Sequence, residues 1–169
     1  MSKPSALGNV LIEAARKAGR SLARDFGEVE FLQISKKGPA DFVSNADHRA
    51  EEIIHEYLTK ARPGYGFLME ESGVIEGSDK TNRFIVDPLD GTKEFIHRRG
   101  DFTVNIALVE DGVPTRGVVY APAKDRMFFT LADGQTVEEY ALDDGQTKIR
   151  SVYRSPDEIA KSIDHYEKI

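Results

Sequence analysis

Two aspartates stand three residues apart in Asp87-Pro88-Leu89-Asp90-Gly91-Thr92, directly behind the apolar run Phe84-Ile85-Val86. Carboxylate oxygens are ligands for hard cations, and the free N–H groups at the start of a helix attract anions such as phosphate. A helix beginning at Thr92 would set such N–H groups beside both carboxylates, so this stretch holds the parts of a site that pairs metal with phosphate. Gly91 lets the backbone come close to a phosphate. Thr92 can hydrogen-bond a water or a phosphate oxygen, or simply open the helix, and one residue can do both. A second acidic pair, Glu70-Glu71, closes another apolar run from Tyr65 to Met69. If the two runs are neighbouring strands, three or four carboxylates meet at one sheet edge, which is costly without a cation. Oxygen ligands in a chain without cysteine favour Mg²⁺ or Mn²⁺, and two such ions can polarise a phosphate ester and activate water. Taken alone, Glu70 and Glu71 read equally well as solvated loop acids.

A third acid, Asp47, falls near the start of a predicted helix. A carboxylate there offsets the helix dipole by roughly 0.3–1 kcal/mol, and from the residues alone that is its preferred role. Lys36 and Lys37 read as solvated loop charges. The four histidines, His48, His55, His97 and His165, lack the HExxH spacing of a zinc site. No Gly-x-Ser-x-Gly elbow, Walker loop or Gly-x-Gly-x-x-Gly fingerprint is present.

The elements that must position these residues follow from periodicity. Leu7, Val10, Leu11, Ala14, Ala15, Ala18 and Leu22 recur every three or four residues, which predicts a helix from Ala6 to Phe26 with Ser5 as its cap and Gly27 as its stop. Val29 to Ser35 reads as a short strand and Lys36 to Asp41 as a loop. A second helix is predicted from about Asn45 to Ala61, burying Ala46, Ala50, Ile53, Ile54, Tyr57 and Leu58. A polar loop leads from Glu71 to the strand ending at Asp87, where Pro88 and Gly91 should turn the chain sharply. A helix near Thr92 to Arg98 then precedes the strands Thr103 to Val109, Gly117 to Tyr120 and Met127 to Leu131. Asp111-Gly112, Pro122 to Asp125 and Asp133-Gly134 are the turns of this antiparallel meander. Thr147 to Tyr153 is a further strand candidate, and Ser155-Pro156-Asp157-Glu158 opens a helix with Ile159, Ile163 and Tyr166 as its apolar stripe. Early helices and later hairpins predict an α+β, layered architecture.

With 169 residues the chain is long enough for one domain with a real core, and 40% hydrophobic with 31% charged residues fits a soluble globular protein. A net charge of −6 argues against a general nucleic-acid-binding surface. The absence of cysteine excludes disulfides, thiolate metal sites and a cysteine nucleophile. Met-Ser-Lys-Pro lacks the apolar core of a signal peptide, and no stretch approaches the roughly 18 apolar residues of a membrane span. A soluble, cytoplasmic protein without membrane partners is expected.

Glu70-Glu71-Ser72 followed by Asp87-Pro88-Leu89-Asp90-Gly91-Thr92 resembles, in order and spacing, the inositol monophosphatase family of metal-dependent, lithium-sensitive sugar phosphatases. The resemblance runs from about Ser5 to Leu131. The first half, with Lys37-Gly38-Pro39-Ala40-Asp41-Phe42-Val43-Ser44, looks most like the bacterial inositol-1-monophosphatase branch. From Lys93-Glu94-Phe95 through Gly117-Val118-Val119-Tyr120-Ala121-Pro122 the chain looks more like the 3′(2′),5′-bisphosphate nucleotidase branch.

The resemblance implies that Glu70, Asp87 and the Leu89 carbonyl bind a first Mg²⁺, with Asp87 shared with a second ion that Asp90 also holds. It implies phosphate contacts from the N–H groups of Gly91 and Thr92, and an attacking water oriented by Thr92 with support from Asp47 and Glu70. Glu71 would be a supporting acid, and Lys36 would lie near the site. It also implies homodimers. In the family's second αβ half, the aspartate of a Trp-Asp-x-Ala-type motif binds the second metal; nothing in Val137 to Ile169 matches that motif, and the chain has no tryptophan. The expectation is therefore an inositol monophosphatase-like domain over 1–132 and a divergent or truncated tail over 133–169 that holds a strand and a helix of an incomplete half. The expected function is Mg²⁺-dependent hydrolysis of inositol 1-phosphate or a related sugar phosphate. The alternatives are a 3′(2′),5′-bisphosphate nucleotidase and a metal-binding domain without turnover. An aspartyl-phosphate mechanism of the haloacid dehalogenase type fits less well, because its two aspartates stand two residues apart.

Overall fold

The structure, a computed structural model, describes residues 2–29 and 38–151. The expectations for Lys36, for the strand beyond Val29 and for a helix from Ser155 lie outside those residues. Helix α1 (Ala6–Glu28) starts as its sequence predicts: the Gly8 N–H donates to Ser5 Oγ at 3.0 Å. Its stripe of Leu11, Ala14, Ala15, Ala18 and Leu22 is fully buried. The helix continues through Gly27, past its predicted stop, and Val29 closes it by donating its N–H to the Asp25 carbonyl.

Helix α2 spans Pro39–Ala61, so it begins well before the predicted Asn45. The Gly38-Pro39 pair reads as a loop in sequence, but proline suits the first turn, where its missing N–H would have no partner anyway. Val43, Ala46, Ala50, Ile54 and Leu58 form the buried stripe. The two helices pack together, and Arg49 of α2 donates to the buried Asp25 of α1 at 2.8 Å.

Among the described residues eight strands form one sheet: β1 (Gly66–Met69), β2 (Gly73–Ile75), β3 (Asn82–Asp90), β4 (Thr103–Glu110), β5 (Val113–Ala121), β6 (Arg126–Thr130), β7 (Thr136–Ala141) and β8 (Thr147–Ser151). Between β3 and β4 lies the short helix α3 (Thr92–Ile96). The sheet order is β2-β1-β3-β4-β5-β6-β7-β8. Among these described strands only β1 and β3 pair in parallel; every other neighbouring pair is antiparallel. The fold is therefore α+β, with helices packed on a mostly antiparallel sheet. Val104, Ile106 and Leu108 of β4 alternate toward the core with Val118 and Tyr120 of β5 and Met127 and Phe129 of β6. Phe67 and Phe84 add a ring pair 5.4 Å apart beneath the ends of β1 and β3.

Two strands lie where none was predicted. β2 falls inside the expected polar loop. β7 carries Glu138 and Glu139, which break its apolar run, yet Glu138 is only 1% exposed. Its sheet neighbours explain this, since Arg126 of β6 and Arg150 of β8 each donate to its carboxylate at 2.6 Å. Both β7 and β8 thus extend the sheet built by the preceding residues.

Because Phe84 is wholly buried in a strand with a neighbour on each side, Phe84→Ala should lower stability by about 3–5 kcal/mol. Urea unfolding of the two proteins measures the difference.

Candidate metal centre

The parallel register of β1 and β3 sets Phe67 beside Phe84, Leu68 beside Ile85 and Met69 beside Val86. The next residues on each strand are Glu70 and Asp87, which therefore leave the sheet side by side. The Glu70 N–H donates to the Val86 carbonyl at 3.0 Å, which holds this end of the pair closed. α2 brings in Asp47 from the helical layer. One carboxylate oxygen each from Asp47, Glu70 and Glu71 lies within 4.8 Å of the others. Asp47 is 5% exposed, whereas Glu70 and Glu71 are open to solvent. With α2 starting at Pro39, Asp47 is well inside the helix. This rules out the dipole-partner role read from sequence, which required it in the first turn.

Burial, reinforced by the negative charges of Glu71 and Glu70, pushes the Asp47 carboxyl up to about 8. Burial, with contact and repulsion from Glu70 and repulsion from Asp90, pushes Asp87 up to about 7. The Oδ1 atoms of Asp47 and Asp87 are buried and have no hydrogen-bond partner. Buried polar atoms in folded proteins almost always have partners. Converging carboxylates that carry such orphaned oxygens fit a hard cation with oxygen ligands.

β3 runs on to Asp90, beyond the predicted end at Asp87. Its register with β4 shifts between these residues: Asp87 faces Asn105, while Asp90 faces Thr103. Pro88 has no N–H to give to a ladder, and a bulge is where a sheet tolerates it. The bulge carries Asp90 to the exposed rim, where Asn105 Nδ2 donates to its Oδ2 at 3.2 Å. Thr103 Oγ1 in turn donates to Asn105 Oδ1 at 3.0 Å. Gly91 then turns the chain with φ 93°, and a Cβ there would lie 2.8 Å from the Asp101 carbonyl oxygen. Thr92 opens α3 and its hydroxyl donates to the Leu89 carbonyl at 3.3 Å.

The structure thus gathers Asp47, Glu70, Glu71 and Asp87, with Asp90, Gly91 and Thr92 on the adjoining turn. Two residues absent from the sequence reading also belong to the neighbourhood. Asn105 holds Asp90. Glu51, 3% exposed, accepts hydrogen bonds from the Glu71 N–H at 2.8 Å and from the Ser72 hydroxyl. The available signal for Glu51 was its position four residues after Asp47, on the same helical face. Nothing in local sequence distinguishes Asn105. His48 Nε2 lies 3.6 Å from Glu71 Oε2.

The inositol monophosphatase family profile matches residues 3–164. The inositol-1-monophosphatase of Mesorhizobium japonicum is 58% identical over 130 residues, covering 77% of this chain and 49% of its own. That of Caulobacter vibrioides is 61% identical over 120 residues, covering 70% and 47%. Among solved structures, the extragenic suppressor protein SuhB of Bartonella henselae matches with a TM-score of 0.70 at 54% identity, over 79% of this chain and 52% of that one. The chain spans about half the length of the curated relatives it matches.

The raised carboxyls fix the sign of a pH effect in metal-free protein. An unfolded aspartate releases its proton near 3.8, whereas folded Asp47 holds it to about 8. Between these values the folded state binds more protons, so stability should fall as pH rises through this window and level off above it. Asp47→Asn should make that profile shallower, leaving the fall that Asp87 contributes up to about 7, and stabilise the metal-free chain at pH 8.5 by at least about 1 kcal/mol. Urea unfolding in chelator at several pH values measures both; a wild-type profile that rises across the window would show Asp47 ionised in the fold. Gly91→Ala should lose more than about 1 kcal/mol, because alanine resists the positive φ.

Proposed function

Since the chain belongs to the inositol monophosphatase family, we propose that it hydrolyses a phosphate monoester with the help of Mg²⁺, inositol 1-phosphate being the favoured substrate. The observation that carries this reading is the meeting of Asp47, Glu70 and Glu71 within 4.8 Å, beside an Asp87 that, like Asp47, keeps a buried unpartnered oxygen. Glu70, Asp87 and the Leu89 carbonyl would hold one ion, and Asp87 with Asp90 a second. When bound, the ions supply positive charge that polarises the phosphate and lowers the pKa of water.

The chain's own residues do the rest. The N–H groups of Gly91 and Thr92 donate to the phosphate, which the positive φ of Gly91 allows to approach closely. Thr92, backed by Asp47 and Glu70, orients the attacking water. Its hydroxyl donates to the Leu89 carbonyl, the oxygen assigned to the first ion. Glu71 supports the cluster, Asn105 keeps Asp90 at the rim, and Lys36 would add positive charge nearby. A small phosphorylated ligand, a homodimer and a cytoplasmic location belong to the same proposal. Among the described residues no helix is long and apolar enough to cross a membrane.

Lys93-Glu94-Phe95 favours a second substrate class, the 3′(2′),5′-bisphosphorylated nucleotides. A third reading is metal binding at the acidic centre without turnover.

Phosphate release from inositol 1-phosphate and from 3′-phosphoadenosine 5′-phosphate, with and without Mg²⁺, separates these readings. The expected result is Mg²⁺-dependent release, faster from inositol 1-phosphate. Asp90→Asn should reduce it by more than the about 10–100-fold that loss of a ligand's supporting partner typically causes. Activity that survives both chelation and Asp90→Asn would sink the metal-dependent mechanism. Thermal stabilisation by Mg²⁺ with no release from either ester would select the non-catalytic reading.

A further inference from the structure

Glu51 is an acid placed where acids are already crowded. It lies on α2, one turn beyond Asp47, and is 3% exposed. Burying another carboxylate beside this cluster is unfavourable unless its oxygens are satisfied. Both are: Oε2 accepts from the Glu71 N–H at 2.8 Å and Oε1 accepts from the Ser72 hydroxyl. The turn it holds is the one between β1 and β2, which carries Glu70 and Glu71. The preceding N–H, that of Glu70, is taken by the Val86 carbonyl of β3. Consecutive N–H groups of this turn are therefore fastened to different elements, one to the sheet and one to the helix that also bears Asp47.

We propose that Glu51 is a positioning residue: its carboxylate clamps the Glu70-Glu71-Ser72 turn to α2, so that both glutamates stay on Asp47 and Asp87 and the cluster is assembled before a cation arrives. The inference rests on the metal-binding reading above. Without the clamp, mutual repulsion would swing the exposed glutamates apart into solvent, and the ion would have to draw them back. Partners that orient metal ligands in this way typically contribute about 10–100-fold to metal affinity.

The test is Mn²⁺ affinity of the full chain, read from the loss of the free-ion electron paramagnetic resonance signal, alongside thermal unfolding in chelator. Glu51→Ala should weaken Mn²⁺ binding by about 10–100-fold. Glu51→Gln keeps an oxygen for the Glu71 N–H and an amide for Ser72 Oγ, so it should restore affinity to within about threefold of wild type. Ser72→Ala, on the exposed side of the contact, should give a smaller loss in the same direction. Asp25→Asn serves as the control. It weakens the pairing of the buried Asp25 with the exposed Arg49 between the same helices and should lower the unfolding temperature without changing Mn²⁺ affinity. Affinity unchanged in Glu51→Ala overturns the proposal, as does an Asp25→Asn loss equal to that of Glu51→Ala. If Glu51→Ala does not fold, unchanged affinity in Ser72→Ala overturns it. Wild-type protein that binds no Mn²⁺ overturns the metal reading and this one together, a result distinct from wild-type binding that Glu51→Ala leaves intact.

Discussion

The parallel pairing of β1 with β3 is the constraint from which the acidic centre follows. In a sheet whose other pairs are antiparallel, this one pair sends two strand ends out of the same edge. Glu70 and Asp87 sit at those ends because Met69 is in register with Val86. Antiparallel pairing would have left them at opposite ends of the strands. Parallel neighbours need a connection of a dozen or so residues, and here it is the segment through β2. The short strand β2 is thus part of how the acids come together.

Buried acids elsewhere in the molecule show how unusual the centre is. Asp25 has Arg49 against it. Glu138 is held between Arg126 and Arg150, which bring its carboxyl below the ordinary range despite burial. Both are acids whose charge is answered inside the fold, and both tie elements together: helix to helix, and β7 to its two neighbours. Asp47 and Asp87 are answered differently. Acids surround them, each keeps a buried oxygen without a hydrogen bond, and each carboxyl is pushed up rather than down. The rest of the structure bears that unfavourable local charge. The apolar stripe of α2 and the rings of Phe67 and Phe84 anchor the elements that force the acids together.

Much of this was legible in the chain. The three-to-four spacing of small and branched apolar residues marks α1 and most of α2. Alternation and Asp-Gly turns mark β4, β5 and β6, because one face of each strand is buried and the other is not. The misses share a physical origin. The start of α2 was obscured because Gly38-Pro39 suits a loop and a helix N-terminus equally well by local chemistry. β7 was invisible because its central glutamate is made buriable by arginines on two other strands. β3 extended past its expected end because the partner strand β4 absorbs Pro88 in a bulge.

For the centre itself, the identities and spacing of Glu70, Glu71, Asp87, Asp90, Gly91 and Thr92 were enough to indicate oxygen donors, a backbone turn and the chemistry proposed for them, since those depend on functional groups a few residues apart. Local chemistry alone left open which acids meet. It made Asp47 a helix-end charge, and only the family resemblance set it beside Thr92 and Glu70; because α2 begins at Pro39, Asp47 lies inside the helix as a buried member of the cluster. Glu51 and Asn105 gained partners only when a helix and a strand distant in sequence were brought against the two turns. Local sequence sets the donors and the turns because these are short-range properties. Convergence, burial and the raised carboxyls were decided by tertiary structure, because they arise from packing between segments that the chain order keeps apart.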